Sequence, residues 1–188
     1  MLPTPVFETE RIRLRPFTTE DTPDLRAYLS HPELSGRRYI PWKFDEDLPI
    51  SPRQAEGIID SWNEIEDGFC YAIVKQSDGI LIGHINVDWG WDPHMPESTV
   101  VIDPSHQRQG YGTEALTLAL NYLYDFTIAH NISTWVTEWN TPGQAFAEKM
   151  GFTNVGKLRR SSYRAGRFYD EFVFDLLRPE WKERRHAA

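Results

Sequence analysis

Apolar and charged positions alternate from residue 11, where Ile12, Leu14 and Phe17 fall among Arg11, Arg13 and Arg15, and a period of two predicts a strand. Thr18 and Thr19, followed by Glu20 and Asp21, read as a helix cap with an acidic first turn. That helix runs to about Leu29 and stops before His31-Pro32. Residues 35–50 are irregular, with Pro41 and Pro49 among the aromatics Tyr39, Trp42 and Phe44. Ser51-Pro52 caps a second helix reaching about Glu66, closed by Gly68. Residues 69–75 and 80–88 form two strands across the turn Ser77-Asp78-Gly79. After a Trp- and Pro-rich loop at 89–97, residues 98–102 form a short strand. The helix predicted over 113–126 puts Ala115, Leu116, Ala119, Leu120, Leu123 and Phe126 on one side. A strand over 132–138 and a short helix over 142–150, ended by Gly151, follow. A final hairpin pairs 152–160 with 168–176 across Ala165-Gly166. The order β-α-α-β-β-β-α-β-α-β-β is mixed α/β. No repeat or linker interrupts it, so residues 1–188 are expected to form one domain.

Composition narrows the function classes. The chain has 188 residues, 40% hydrophobic and 13% aromatic, enough for one domain with a sizeable core. Lys+Arg number 20 and Asp+Glu 28, a net charge of −8, which disfavours nucleic acid and mildly favours cationic substrates. Cys70 is the only cysteine, so an internal disulfide and a cysteine zinc cage are excluded. It lies in an apolar run and is expected to be a buried small hydrophobe. The N-terminal residues do not read as a signal peptide, and no apolar run approaches the roughly 20 residues of a membrane span. A cytoplasmic location, with no membrane or metal partner, is the expectation.

The most informative stretch is Gln107-Arg108-Gln109-Gly110-Tyr111-Gly112, set between the strand at 98–102 and the following helix. Glycines there let backbone N–H groups converge on one point, and a helix N-terminus adds partial positive charge. The turn should therefore hold a phosphate or pyrophosphate. It lacks the lysine of a P-loop, and Thr113-Glu114-Ala115 does not complete a dinucleotide-binding pattern.

The pattern Q/R-x-x-G-x-G/A at this junction resembles the acetyl-CoA loop of the general-control-related N-acetyltransferase (GNAT) superfamily. Other motifs fit in register. Residues 8–17, Gly83-His84-Ile85, Asn140 eight residues before Glu148, the run 148–152 and the terminal stretch 166–181 resemble the ribosomal-protein alanine acetyltransferase (Rim) branch. The resemblance spans roughly residues 8–181. It implies a splayed sheet of about seven strands flanked by about four helices, with acetyl-CoA as cosubstrate and no metal. Its pantetheine arm would lie against Val100, Val101 and Ile102. Its pyrophosphate would sit on Gln109, Gly110, Tyr111, Gly112 and Thr113, with Gln107 and Arg108 beside it. Asn140 would contact pantetheine or an ordered water, or cap the next helix, or both.

Acetyl transfer to an amine needs a base, a stabilised carbonyl oxygen and a proton for the leaving thiolate. Backbone N–H groups of the splayed strand are expected to serve the oxygen. Glu97, where many family members carry a glutamate, is the expected base. Glu138 comes second, and His84 and His94 are further options by intrinsic pKa. The donor departs from the family pattern: the positions where members carry a tyrosine or a serine are here Ala147 and Gly143. Tyr163, Thr141 or water would have to substitute. Tyr39, Trp42, Trp89 and Trp91 fall in loops expected over the acceptor side, whereas Trp62 and Trp135 are expected in the core. The resulting expectation is an N-acetyltransferase acting on a primary amine, small or at a protein N-terminus. Transfer of a longer acyl group such as succinyl, and a weakly active acyl-CoA-binding regulator, are the alternatives. A homodimer is left open.

Overall fold

A computed structural model describes residues 7–34, 49–90 and 92–187. Tyr39, Trp42 and Trp91, expected over the acceptor, lie outside the described residues. Among the described residues the chain folds into seven strands and five α-helices, one helix more than the resemblance implies. In chain order these are β1 (Ile12–Arg15), α1 (Thr22–Leu29), α2 (Pro52–Asn63), β2 (Gly68–Lys75), β3 (Leu81–Asp88) and β4 (Glu97–Ile102). Then come α3 (Tyr111–Phe126), β5 (Asn131–Thr137), α4 (Thr141–Met150), β6 (Thr153–Arg164), β7 (Arg167–Leu177) and α5 (Arg178–Ala187). The strands make one mixed sheet in the order β1-β2-β3-β4-β5-β7-β6.

Every neighbouring pair is antiparallel except β4 and β5. Those two run parallel and share a single register pair, Glu97 with Ser133, reinforced by the Ser133 N–H donating to the Pro96 carbonyl at 3.0 Å. From that point the strands part. The functional geometry follows from this one opening.

The sheet has two apolar faces. On one, α3, α4 and α5 cover Ile82, Ile85 and Val87 of β3, Ile132 and Val136 of β5, and Phe174 and Leu176 of β7. On the other, α1 and α2 pack Leu25, Tyr28, Ile58 and Ile59 against Cys70, Ala72 and Val101. Cys70 is buried, as expected.

Local sequence accounts for most boundaries. The Ser51 hydroxyl accepts from the Gln54 N–H and the Gln54 side chain accepts from the Ser51 N–H, a reciprocal cap with Pro52 in the first turn. The α2 helix stops at Asn63 rather than near Glu66, because the Asn63 amide bonds both the N–H and the carbonyl of Phe17. In α3, Phe126 is exposed and stacks on Tyr122; Tyr124 is buried instead and donates to the Leu176 carbonyl. The hairpin is longer than expected, with Ala165 and Gly166 both at positive φ. The unexpected helix α5 is anchored by buried Trp181, whose Nε1 donates to Asn121 Oδ1 at 3.1 Å.

His84 is not placed as a base. It is buried between α1 and α2, its Nδ1 lies 2.8 Å from the Tyr28 hydroxyl, and its ring packs at a tilt against Trp62, 4.6 Å between centroids. Burial pushes its pKa down from 6.5 to about 3. The folded state therefore resists a proton that the unfolded chain accepts, and stability is complete above pH 6.5 and lost progressively as pH falls toward 3. At about 1.4 kcal/mol per pH unit, His84 alone should remove about 2 kcal/mol by pH 5. Urea unfolding at pH 7 and pH 5 checks this. His84→Gln should flatten the pH dependence, and a slope unchanged in that variant would rule the histidine out as its source.

Candidate active site

The opening between β4 and β5 leads into a cavity of about 380 Å³ on the α3–α4 face of the sheet. Its walls are Val100 and Ile102 of β4, Thr134 and Val136 of β5, Leu116 of α3, and Phe146 and Ala147 of α4. Ser98 lines it beside the register pair that joins the two strands. Its open end is the glycine turn. Val100, Val101, Ile102, Gln107, Arg108, Gly110, Tyr111, Gly112, Thr113 and Asn140 all line the cavity, so most residues expected to bind the cofactor converge here.

The turn is built to present backbone. Gln107 Nε2 donates to the Ile102 carbonyl at 2.9 Å, fixing the loop to the end of β4. Arg108 has φ 59° and Gly110 φ 90°, both left-handed, and α3 starts directly after Gly110. The Ser51 and Asn140 side chains cap α2 and α4 by accepting from backbone N–H groups. No side chain caps α3, whose first-turn N–H groups open on the cavity. Arg108 and Lys149 add positive charge to the lining. An uncapped helix N-terminus between two cations fits a pyrophosphate, with a slot of apolar walls behind it for an extended chain.

Arg11 was not foreseen. From the start of β1 its Nη1 pairs with Glu114 at 2.8 Å, its Nη2 donates to the Gln109 carbonyl at 2.7 Å, and its guanidinium lies 4.4 Å over the Tyr111 ring. Glu114 also accepts from the Thr9 hydroxyl at 2.7 Å. This network braces the turn from behind. It also turns Gln109 outward, and the Gln109 side chain donates to the Ser105 carbonyl instead of lining the cavity.

Asn140 caps α4, its Oδ1 accepting from the Gly143 N–H at 3.2 Å, while it also lines the cavity. The cap uses the oxygen and leaves the Nδ2 end for a ligand. Gly143 is bare for a steric reason: a Cβ there would fall 2.3 Å from Asn140 Nδ2.

Glu97 is half-buried at the junction of β4 and β5 and does not line this cavity. It stands opposite Asp88, while Ser98 stands opposite Val87 of the α3-side core. Glu97 therefore faces the other side of the sheet with Thr99, while Val101 of that face still borders the cavity at the gap.

Three expectations are corrected. Tyr163 sits near the exposed tip of the β6–β7 hairpin, packed edge-on against Phe168 at 5.1 Å, and is not brought to the cavity. Trp89 follows β3 on the α3 side and packs against that core rather than over the acceptor face. Glu138 is turned to the hairpin, its Oε2 accepting from the Asp170 N–H at 3.2 Å. His94 is held in its loop by Asp92 at 2.9 Å. Among the described residues, no cluster of His, Cys, Asp and Glu could hold a metal, and no helix is long and apolar enough to cross a membrane.

Residues 11–153 match the family model of the acetyltransferase (GNAT) domain. Two uncharacterized N-acetyltransferases of Bacillus subtilis strain 168 are similar over nearly their whole length. YnaD is 23% identical over 92% of this chain and 97% of its own, and YoaA 27% identical over 93% and 98%. An acetyltransferase of the GNAT family from Bacillus anthracis superposes with a TM-score of 0.78 at 21% identity, covering 92% of this chain and 98% of that one. The spermidine N-acetyltransferase of Vibrio cholerae, in complex with CoA and spermine, superposes with a TM-score of 0.77 at 18% identity, covering 93% and 99%. The uncapped turn and the parted strands thus have the setting expected of an acetyl-CoA user, and the chain belongs to the GNAT family of N-acetyltransferases.

Proposed function

We infer that the protein transfers the acetyl group of acetyl-CoA to the primary amine of a small cationic acceptor. The observation that carries this reading is the two-sided character of β4. On one face Ser98, Val100 and Ile102 line the cavity. On the other, Glu97 stands opposite Asp88, and buried Glu171 and half-buried Asp175, the latter accepting from Asn131 Nδ2 at 3.1 Å, continue the acidic face across β5 and β7, with half-buried Trp135 between them. Four carboxylates and an indole suit a positively charged amine. The likeness to a spermidine N-acetyltransferase accords with a small amine, so the preference over protein N-termini rests on this acidic face.

In this reading the N-terminus of α3, with Arg108 and Lys149, holds the pyrophosphate. Acetyl-CoA supplies the activated acyl group when bound. The acceptor arrives from the acidic face, and Glu97 takes its proton, directly or through one water. The amine attacks the thioester carbon while backbone N–H groups of β4 beyond Glu97, which face the gap, stabilise the carbonyl oxygen, and the C–S bond then breaks to release the CoA thiolate, which takes a proton from water. Holding both reactants at the junction supplies proximity.

The test is release of free thiol from acetyl-CoA with polyamines, aminoglycosides and basic-ended peptides offered separately. Polyamines should accelerate release well above the rate without enzyme, and peptides much less. Preference for peptides would reverse the acceptor assignment.

A further inference from the structure

Ser98 is a polar residue at an apolar address. Its neighbours on the same face are Val87 across the ladder and Val100 along the strand. It is 2% exposed, lines the cavity next to the point where β4 and β5 are last paired, and its Oγ has no hydrogen-bond partner. A buried hydroxyl without a partner is costly, so one that stands at the end of a ligand channel points to a partner on the ligand. Thr134 comes from the facing strand, and Val136 and Ala147 bring no polar side-chain atom.

We propose that Ser98 is a side-chain donor to the thioester carbonyl of the acyl group. This rests on the cavity being the acetyl-CoA site. With the phosphates at the glycine turn after β4, the part of that ligand reaching the other end of the strand, beside the β4–β5 junction, is its acyl terminus. Of the atoms there, the carbonyl oxygen is a strong acceptor and the sulfur a weak one. Ser98 Oγ–H therefore bonds the carbonyl oxygen and strengthens that bond as the oxygen takes up negative charge, adding to the backbone N–H groups of β4. Adjacent residues of one strand then divide the work: Glu97 addresses the amine on one face and Ser98 the acyl group on the other.

The experiment measures affinities for CoA, acetyl-CoA and S-ethyl-CoA, the thioether that lacks the carbonyl. The parent should bind acetyl-CoA several-fold more tightly than S-ethyl-CoA, in the range expected of one hydrogen bond, about 2- to 10-fold. Ser98→Ala should bring the two within about twofold, leave CoA unchanged and lower kcat about 10²-fold. Its unliganded melting temperature should not fall, because the hydroxyl removed has no partner in the protein. Ser98→Thr, which keeps the hydroxyl, should retain the acetyl preference. Equal weakening of all three ligands would assign the serine to the sulfur or to packing and overturn the proposal. So would a parent that does not distinguish acetyl from ethyl, which decides the matter even if the alanine variant fails to fold. If CoA itself does not bind the parent, the cavity assignment falls and the serine with it; normal CoA binding with an unchanged acetyl preference in Ser98→Ala removes the serine alone.

Discussion

Replacing Glu97 by glutamine should lower kcat/KM about 10²-fold, within the usual range for a general base. Affinity for acetyl-CoA should stay within about twofold, because Glu97 faces away from the cavity. The substitution keeps size and removes only the proton-accepting oxygen. The half-buried side chain sits where β4 and β5 last touch, the position from which a carboxylate can address an amine entering the gap. The measurement is a kcat/KM profile over roughly pH 6 to 9 for parent and variant. An acid limb present in the parent and lost in the variant is the expected signature. Activity within about threefold of the parent throughout would eliminate Glu97 and direct the search to Glu171 on the same face.

Gly110→Val should abolish acetyl-CoA binding. In the parent, ligand at 100 times its Kd should stabilise the fold by about 2.7 kcal/mol, read as a rise in melting temperature. The valine variant should show no rise at the same concentration. The reason is conformational. A Cβ at Gly110 would meet only the Arg11 guanidinium, at an ordinary 3.5 Å. But φ is 90°, a region that costs a β-branched residue about 1–3 kcal/mol. The turn relaxes to shed that strain, and the first N–H groups of α3 no longer converge. A full ligand-induced shift in the variant would mean the pyrophosphate does not use this turn.

The sequence carried the sheet because its strands alternate cleanly and its turns are marked by Gly, Asp and Pro. It carried the glycine turn because only a few loops combine a strand, two glycines and an amphipathic helix. It did not carry α5, whose burial rests on Trp181 alone among charged neighbours, so no apolar period existed to read. Tyr163 was misplaced because the hairpin runs to residues 164 and 167, carrying that ring out to the tip. Arg11 gave no local signal, since its partners lie about a hundred residues away. Lys149 did give one: Pro142, Phe146 and Lys149 recur at the i, i+4, i+7 spacing of one α4 face, the face that lines the cavity. Ser98 read as an ordinary strand residue because its lack of a partner is a property of three dimensions alone.

Positions 140 and 143 are sterically coupled. With asparagine at 140 folded back over the first turn of α4, the Cβ of any residue other than glycine at 143 would overlap its amide and approach Val136 Cγ1 to 3.1 Å. A hydroxyl cannot be regained at 143 by one substitution without displacing the Asn140 amide. A side chain at 143 therefore acts first on position 140: the Asn140 amide has to rotate off the first turn of α4, giving up its bond to the Gly143 N–H, so the cost of the substitution is read in the cap rather than in the core.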